Sequence, residues 1–257
     1  MEEEKMINKA DFYYFSPTGG TKKTGEIFAR EIAENVEFID LGSKQEQKET
    51  DHELAVIAIP VFGGRLPAFA SEKLKKVNGC GRKAVTLAVY GTRAYEDALL
   101  ELNDLAAECG FQVIASGAFV ARHSIVPEVG AGRPDEADVA ELREFAKKVL
   151  EKIEKGRDEV VQVPGNHPYK QWGGMTVTPM SLPTCLQCGK CAAVCPTDAI
   201  TFEGHTVQTS AEKCMVCMAC VAACPEHARI LPPPVQEMMN QKLGVLKDVR
   251  RPNEIFL

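Results

Sequence analysis

C-L-Q-C-G-K-C-A-A-V-C-P (185–196) and C-M-V-C-M-A-C-V-A-A-C-P (214–225) are two copies of one pattern, C-x2-C-x2-C-x3-C-P. Together they hold eight of the chain's ten cysteines. In bacterial iron–sulfur sequences of this form, three closely spaced thiolates grip one 4Fe-4S cluster and the fourth reaches a second cluster. The pattern therefore assigns Cys185, Cys188, Cys191 and Cys224 to one cluster, and Cys214, Cys217, Cys220 and Cys195 to the other. Pro196 and Pro225 follow the fourth cysteines, where a fixed φ and a missing N–H suit a sharp turn away from the site. Zinc ribbons use pairs of C-x2-C without the x3-C-P extension, and disulfides would want an oxidising compartment. Between the runs, residues 199–207 read as a short hairpin about Glu203-Gly204, which makes the two halves a pseudo-repeat.

At 257 residues the chain is too long for the cysteine module alone, and its composition supports a second, larger core. The net charge of −6 argues against a nucleic-acid partner, which favours basic patches. The acidic start M-E-E-E-K-M is unlike a secretory signal. The longest apolar run, residues 54–62, is too short to span a bilayer. Clustered thiols fit a reducing, cytoplasmic location.

Residues 1–157 alternate between strand-like and helix-like segments. Strands are predicted at 11–15, 36–41, 54–59, 84–90 and 113–120, and helices at 21–34, 68–77, 95–109 and 134–155. Residues 54–59 are continuously apolar, as in a strand buried on both faces of a parallel sheet. Ala98, Leu99, Leu102, Leu105 and Ala106 share one helix face, with Gly110 as the stop. Five strands separated by helices indicate an open, doubly wound α/β domain with a five-stranded parallel sheet. Residues 158–181 read as an extended linker, pinned to a surface by Tyr169 and Trp172. Residues 182–257 form a small α+β cluster domain with a C-terminal tail, including a helix near 235–246.

Ligands of such a sheet bind beyond the C-terminal ends of its strands. After the first strand comes Ser16-Pro17-Thr18-Gly19-Gly20-Thr21, opening directly into a helix. Its hydroxyls and backbone N–H groups can surround one phosphate at a helix N-terminus. The loop lacks G-x-x-x-x-G-K-(S/T) and G-x-G-x-x-G, so neither a nucleoside-triphosphate loop nor a dinucleotide fingerprint is present. Here the chain resembles the flavodoxins. Their FMN phosphate loop has the form (S/T)-x-T-G-x-T, matched by Ser16, Thr18, Gly19 and Thr21. The resemblance implies that two further loops clasp the isoalloxazine ring: Pro60-Val61-Phe62-Gly63-Gly64-Arg65, and Tyr90-Gly91-Thr92-Arg93-Ala94-Tyr95. Glycines let backbone approach a flat ring, and Phe62 and Tyr95 are placed to cover its faces. Arg65 and Arg93 depart from the acidic surroundings of flavodoxins, and a nearby cation would favour an anionic reduced flavin. His123, after the fifth strand, lies at the same end of the sheet. Cys80 and Cys109 fit no metal spacing.

Taken whole, the chain resembles fused flavodoxin–ferredoxin proteins of anaerobes. That implies FMN and two 4Fe-4S clusters joining a redox protein donor to an acceptor, with a flavin-dependent reductase of a small molecule as the alternative. The cluster module is expected beside the FMN loops. The extended linker spans at most about 80 Å, so docking within one chain or across a homodimer is left open.

Overall fold

The computed structural model describes residues 6–45, 50, 52–204 and 206–257. The larger domain is built from β1 (Ile7–Tyr14), α1 (Gly20–Ile32), β2 (Ala33–Asp40), β3 (Leu54–Pro60), α2 (Ala68–Leu74), β4 (Lys83–Tyr90), α3 (Ala98–Glu108), β5 (Gln112–Val120) and α4 (Glu136–Glu154). Its strands lie in the order β2-β1-β3-β4-β5, all parallel. This is the flavodoxin-like order, whose switch point falls between β1 and β3.

The side-chain period of two decides which helices cover which face. Phe12, Val56 and Ala58 face α1 and α4, where Phe28, Ile32, Phe145 and Val149 complete one core. Tyr13, Ile57 and Ile59 face α2 and α3, meeting Leu74, Leu102 and Leu105. A buried polar knot pins the core under α3. Thr86 Oγ1 donates to Asn103 Oδ1 at 2.6 Å, and Asn103 Nδ2 donates to Ser116 Oγ at 2.9 Å, fixing α3 to β4 and β5. Gly25 lets α1 press close to the sheet, since a Cβ there would sit 2.4 Å from the Phe12 ring. The N-terminus of α1 is thereby held at the switch point.

The small module contains β6 (Met180–Ser181), α5 (Lys190–Ala193), β7 (Ile200–Glu203), β8 (Thr206–Thr209), α6 (Ala219–Ala222), β9 (Arg229–Ile230) and α7 (Pro233–Leu243). Strands β7 and β8 form the expected hairpin, and β6 pairs with β9. The module's pairing thus begins at residue 180, two residues inside the stretch read as linker. The pseudo-repeat is written in the backbone. Gln187 and Val216, Gly189 and Met218, and Asp198 and His227 all have positive φ at positions 29 residues apart, the spacing of Cys185 and Cys214.

Two features go beyond the sequence reading. Helix α3 starts at Ala98 rather than at residue 95, because Glu96 takes a positive φ of 47° and keeps residues 95–97 in the loop. The chain's end returns to the larger domain. There β10 (Glu254–Phe256) pairs antiparallel with β5 as a sixth strand, so the five parallel strands carry an antiparallel edge. Asn253 secures this return. It accepts from Val120 N at 2.9 Å and Arg133 Nη2 at 3.2 Å, and donates to Asp138 and Glu141. No helix among the described residues is long and apolar enough to cross a membrane.

Asn253→Ala leaves the Val120 N–H and the buried Asp138 carboxylate each short of a partner, at about 1–3 kcal/mol per unsatisfied group. Urea unfolding is expected to show a loss of about 2–3 kcal/mol. An unchanged midpoint would mean that the tail is not anchored through Asn253.

Candidate functional site

A cleft of about 430 Å³ opens at the C-terminal ends of β1, β3, β4 and β5. That is within the usual range for small-molecule and cofactor sites. Ser16, Pro17, Thr18, Gly20 and Thr21 form one end, and residues 60–64 with Tyr90, Gly91 and Arg93 form the middle. The structure thus gathers most of the residues that the sequence singled out. At the α1 end, Gly19 caps the helix with a φ of 89° and no side-chain cap is made. Ser16 Oγ accepts from Lys22 N at 2.9 Å, which fixes the loop. The N–H groups of Thr18, Gly20 and Thr21 have no acceptor among the described residues. Free N–H groups and hydroxyls at a positive helix end suit a phosphate.

The next loop is a tight turn in which Phe62 and Arg65 exchange backbone hydrogen bonds at 2.9 and 3.1 Å around Gly63-Gly64. Both glycines have positive φ, as a two-residue turn of this hand requires. A Cβ on Gly63 would lie 2.3 Å from the Trp172 indole, so the linker's tryptophan lies against this turn. Trp172 also lines the cleft.

Tyr95 does not. Its hydroxyl donates to Glu254 Oε2 at 2.9 Å, its ring packs on Tyr90, and it borders a separate cavity beside Arg251. The sequence could not reveal this, since the partner lies 159 residues away. Arg65 also turns from the cleft. It forms a two-pronged pair with Glu101 at 2.7 and 2.9 Å, stacks on Tyr169 and donates to Lys170 O. Thr92 is fully buried at a φ of 64°, and neither it nor Gly19 lines the cleft. Arg93 does line it, paired with Glu96 at 3.0 Å.

His123 is on the cleft wall with its ring fixed. Nδ1 accepts from the backbone N–H groups of Ile125 and Val126, both at 3.1 Å. The proton of the neutral ring therefore sits on Nε2. Burial, with the Arg93 charge adding to it, lowers the His123 pKa to about 4. Arg93, Arg122, Lys170 and Lys242 border the cleft and, among the described residues, no carboxylate does, in a chain of net charge −6.

The small module closes the cleft. Met215, Val216 and Cys217 from the second cysteine run line it, as do Met238, Met239 and Leu243 of α7. Gln236 Nε2 donates to Ile125 O at 2.9 Å, and Leu243 packs on Val126 and Val129. The cluster module stands where the sequence reading placed it, beside these loops, and the contact is made within one chain.

A second, smaller cavity is walled by Cys195, Cys214, Cys217 and Cys220 with Ile200, Val216 and Met218. The fourth cysteine of the first run is thus brought to the three of the second run. Ala199 N donates to Cys195 Sγ at 3.3 Å. Burial pushes the Cys217 thiol up to about 12, with the neighbouring sulfurs adding to the shift. Four thiols facing one apolar hollow fit a cluster, whose iron must displace their protons. Cys191 belongs to the same sulfur core, while Cys188 is exposed. Cys80 is exposed in a turn and Cys109 donates to Leu74 O.

Residues 180–225 match the family model of the 4Fe-4S dicluster domain. No sequence among curated proteins matches the chain. Among solved structures, rubredoxin oxygen:oxidoreductase of the anaerobe Desulfovibrio gigas is similar at 16% identity over 60% of this chain and 38% of that one, with a TM-score of 0.45. A Streptococcus pneumonia TIGR4 flavodoxin shows 20% identity over 56% of this chain and 99% of its own, at 0.41. Flavodoxin 1 of Bacillus cereus shows 19% over 56% and 98%, at 0.43. At these scores the fold assignment rests on the strand order itself. By that order and the matched domain, the chain is a flavodoxin-like α/β domain followed by a 4Fe-4S dicluster domain.

His123 tests the site's electrostatics. Its folded value lies below the ordinary 6.5, so its contribution is full above that pH and is lost as pH falls toward 4. Between pH 7 and 4 the protein is expected to lose up to about 3 kcal/mol more than His123→Asn, whose amide oxygen can still accept the two N–H groups. Equal pH dependence of the two in chemical unfolding would contradict the assignment.

Proposed function

We propose that the protein is an electron-transfer flavoprotein that joins a two-electron partner to a one-electron partner through FMN and two 4Fe-4S clusters. The observation that carries this is one cleft lined both by the helix-terminal loop Ser16–Thr21 and by Cys217 of the second cysteine run. FMN can exchange two electrons in single steps, whereas each cluster carries one. In this reading Ser16, Thr18 and Thr21 hold the phosphate with the free N–H groups of α1. The backbone at Gly63, Gly64 and Gly91 admits a flat ring, and Phe62 and Trp172 flank it. Met215, Met238 and Met239 exclude water on the cluster side. Arg93, Arg122, Lys170 and Lys242 supply positive charge where a phosphate and an anionic ring would need it. Cys185, Cys188, Cys191 and Cys224 hold the outer cluster, while Cys214, Cys217, Cys220 and Cys195 hold the one nearer the cleft. The donor and acceptor are redox proteins.

A second reading is favoured by the neutral Nε2–H of His123 and the guanidinium of Arg93 on one wall. These would bind a small anionic molecule against the flavin, making the protein a reductase fed by its clusters. Steady-state turnover with small anionic acceptors, measured beside transfer to a ferredoxin-type protein, separates the two.

The chain has a single tryptophan, Trp172, and it lines the cleft, so its emission reports directly on flavin binding. FMN titrated into flavin-free protein is expected to quench it. Thr18→Ala should weaken binding by about 1.5–3 kcal/mol, the usual worth of a hydrogen bond to a charged group. Absence of quenching at any FMN concentration would sink the FMN reading.

Cys195→Ser is expected to damage the cluster of Cys214, Cys217 and Cys220 and to spare that of Cys185, Cys188 and Cys191. Electron paramagnetic resonance of the reduced protein distinguishes them. Damage confined to the first run's cluster would mean that the fourth ligands do not cross.

A further inference from the structure

The pseudo-repeat breaks in charge at a deeply buried position. Ile200, an apolar wall of the cavity around Cys195, Cys214, Cys217 and Cys220, has Arg229 as its counterpart 29 residues later. Arg229 is only 1% exposed. Its Nη1 donates to Ser181 Oγ at 3.0 Å, and its Nη2 donates to Pro179 O at 3.0 Å and Thr209 Oγ1 at 2.8 Å. Nη2 also stands 3.9 Å from Cys220 Sγ, and Nε is buried without a partner. All these partner oxygens are neutral, and among the described residues no carboxylate pairs with the guanidinium. A buried charge left without a counter-charge is costly. The groups available to supply one are the thiolates and the negatively charged clusters that they would hold.

We propose that Arg229 is a potential-setting residue: a fixed cation beside the cluster site of the second run, in hydrogen-bond reach of Cys220, that raises the reduction potential of the cluster held by Cys195, Cys214, Cys217 and Cys220. The inference rests on the two-cluster reading above. Reduction adds one electron and one negative charge to a cluster, breaking no bond, and a nearby cation stabilises the reduced form more than the oxidised one. Hydrogen bonds to the sulfurs and local net charge are known levers on such potentials. The cluster of Cys185, Cys188, Cys191 and Cys224 feels the charge without the sulfur contact and shifts less.

The test is a dithionite titration of the holoprotein followed by electron paramagnetic resonance, with iron and sulfide determined on each sample. Arg229→Met is expected to lower the potential of the Cys220-bound cluster by at least a tenfold change in its oxidised-to-reduced ratio, about 59 mV for one electron. Arg229→Lys keeps the charge and should stay near the wild type, which a purely structural staple would not explain. Should Arg229→Met fail to assemble, Thr209→Asp decides the matter. It keeps the guanidinium, sets a carboxylate beside it, and should lower the same potential. Unchanged potentials in assembled Arg229→Met, or in Thr209→Asp, overturn the proposal, as does an equal fall in Arg229→Lys. Wild-type protein holding fewer than about eight irons per chain would instead overturn the two-cluster reading, and this inference with it.

Discussion

The placement of the cluster module depends on one buried carboxylate. Asp97, 3% exposed at the start of α3, accepts from Asn166 N at 2.9 Å, Asn166 Nδ2 at 3.0 Å and Lys170 N at 2.6 Å. Burial alone would raise its pKa, but these three hydrogen bonds and the Arg65 charge hold it below the ordinary range. It is therefore ionised whenever the linker, a strap of residues 158–179, is in place, and ionic hydrogen bonds are the stronger kind. Around it, Arg65, oriented by its pair with Glu101, donates to Lys170 O, and Asp104 accepts from Tyr169. A segment without regular secondary structure is thus given one path over the sheet. Trp172 and Met175 are delivered to the cleft because Asp97 fixes what precedes them.

What the sequence disclosed and what it hid divide along range of interaction. The strand and helix pattern, the loop at Ser16–Thr21 and the cysteine runs were all legible, because each is written in neighbouring residues: an apolar period, a helix start, a fixed spacing. Even the meeting of Cys195 with the second run follows from the repeat. The roles of Tyr95, Arg65 and Trp172 were not legible, because each is set by a partner from another part of the chain. Tyr95 sits in a ligand-end loop, a position that suggests a ring cover, yet its hydroxyl goes to Glu254 of the last strand. Arg65 sits in such a loop too, yet Glu101 on α3 claims it. A three-residue strand such as β10 has no periodic signature at all, and only its docking onto β5 defines it.

The charge of the chain is segregated rather than evenly spread. The chain's net charge is −6, yet among the described residues the charged side chains that border the cleft are all cations, beside a histidine held neutral. In the small module the same preference reappears as a single buried guanidinium among sulfurs. Both arrangements favour negative charge inside and leave it disfavoured outside. Attraction between unlike charges grows as water is excluded, so each cation counts for more in these recesses than it would on the surface.

The return of the chain to β5 has a topological consequence. A domain on a single tether can wander from its neighbour and sample a wide volume. Here the small module is held by the strap on one side and by Asn253 and β10 on the other, so it is a loop of chain closed on the larger domain at both ends. Opening the contact at Ile125 and Val126 would not release it, because both anchors keep its effective concentration high and favour immediate return. A single cut in the strap would likewise leave the halves joined through the tail. The distance across the cleft is therefore a property of the fold and not of a chance encounter between two mobile parts.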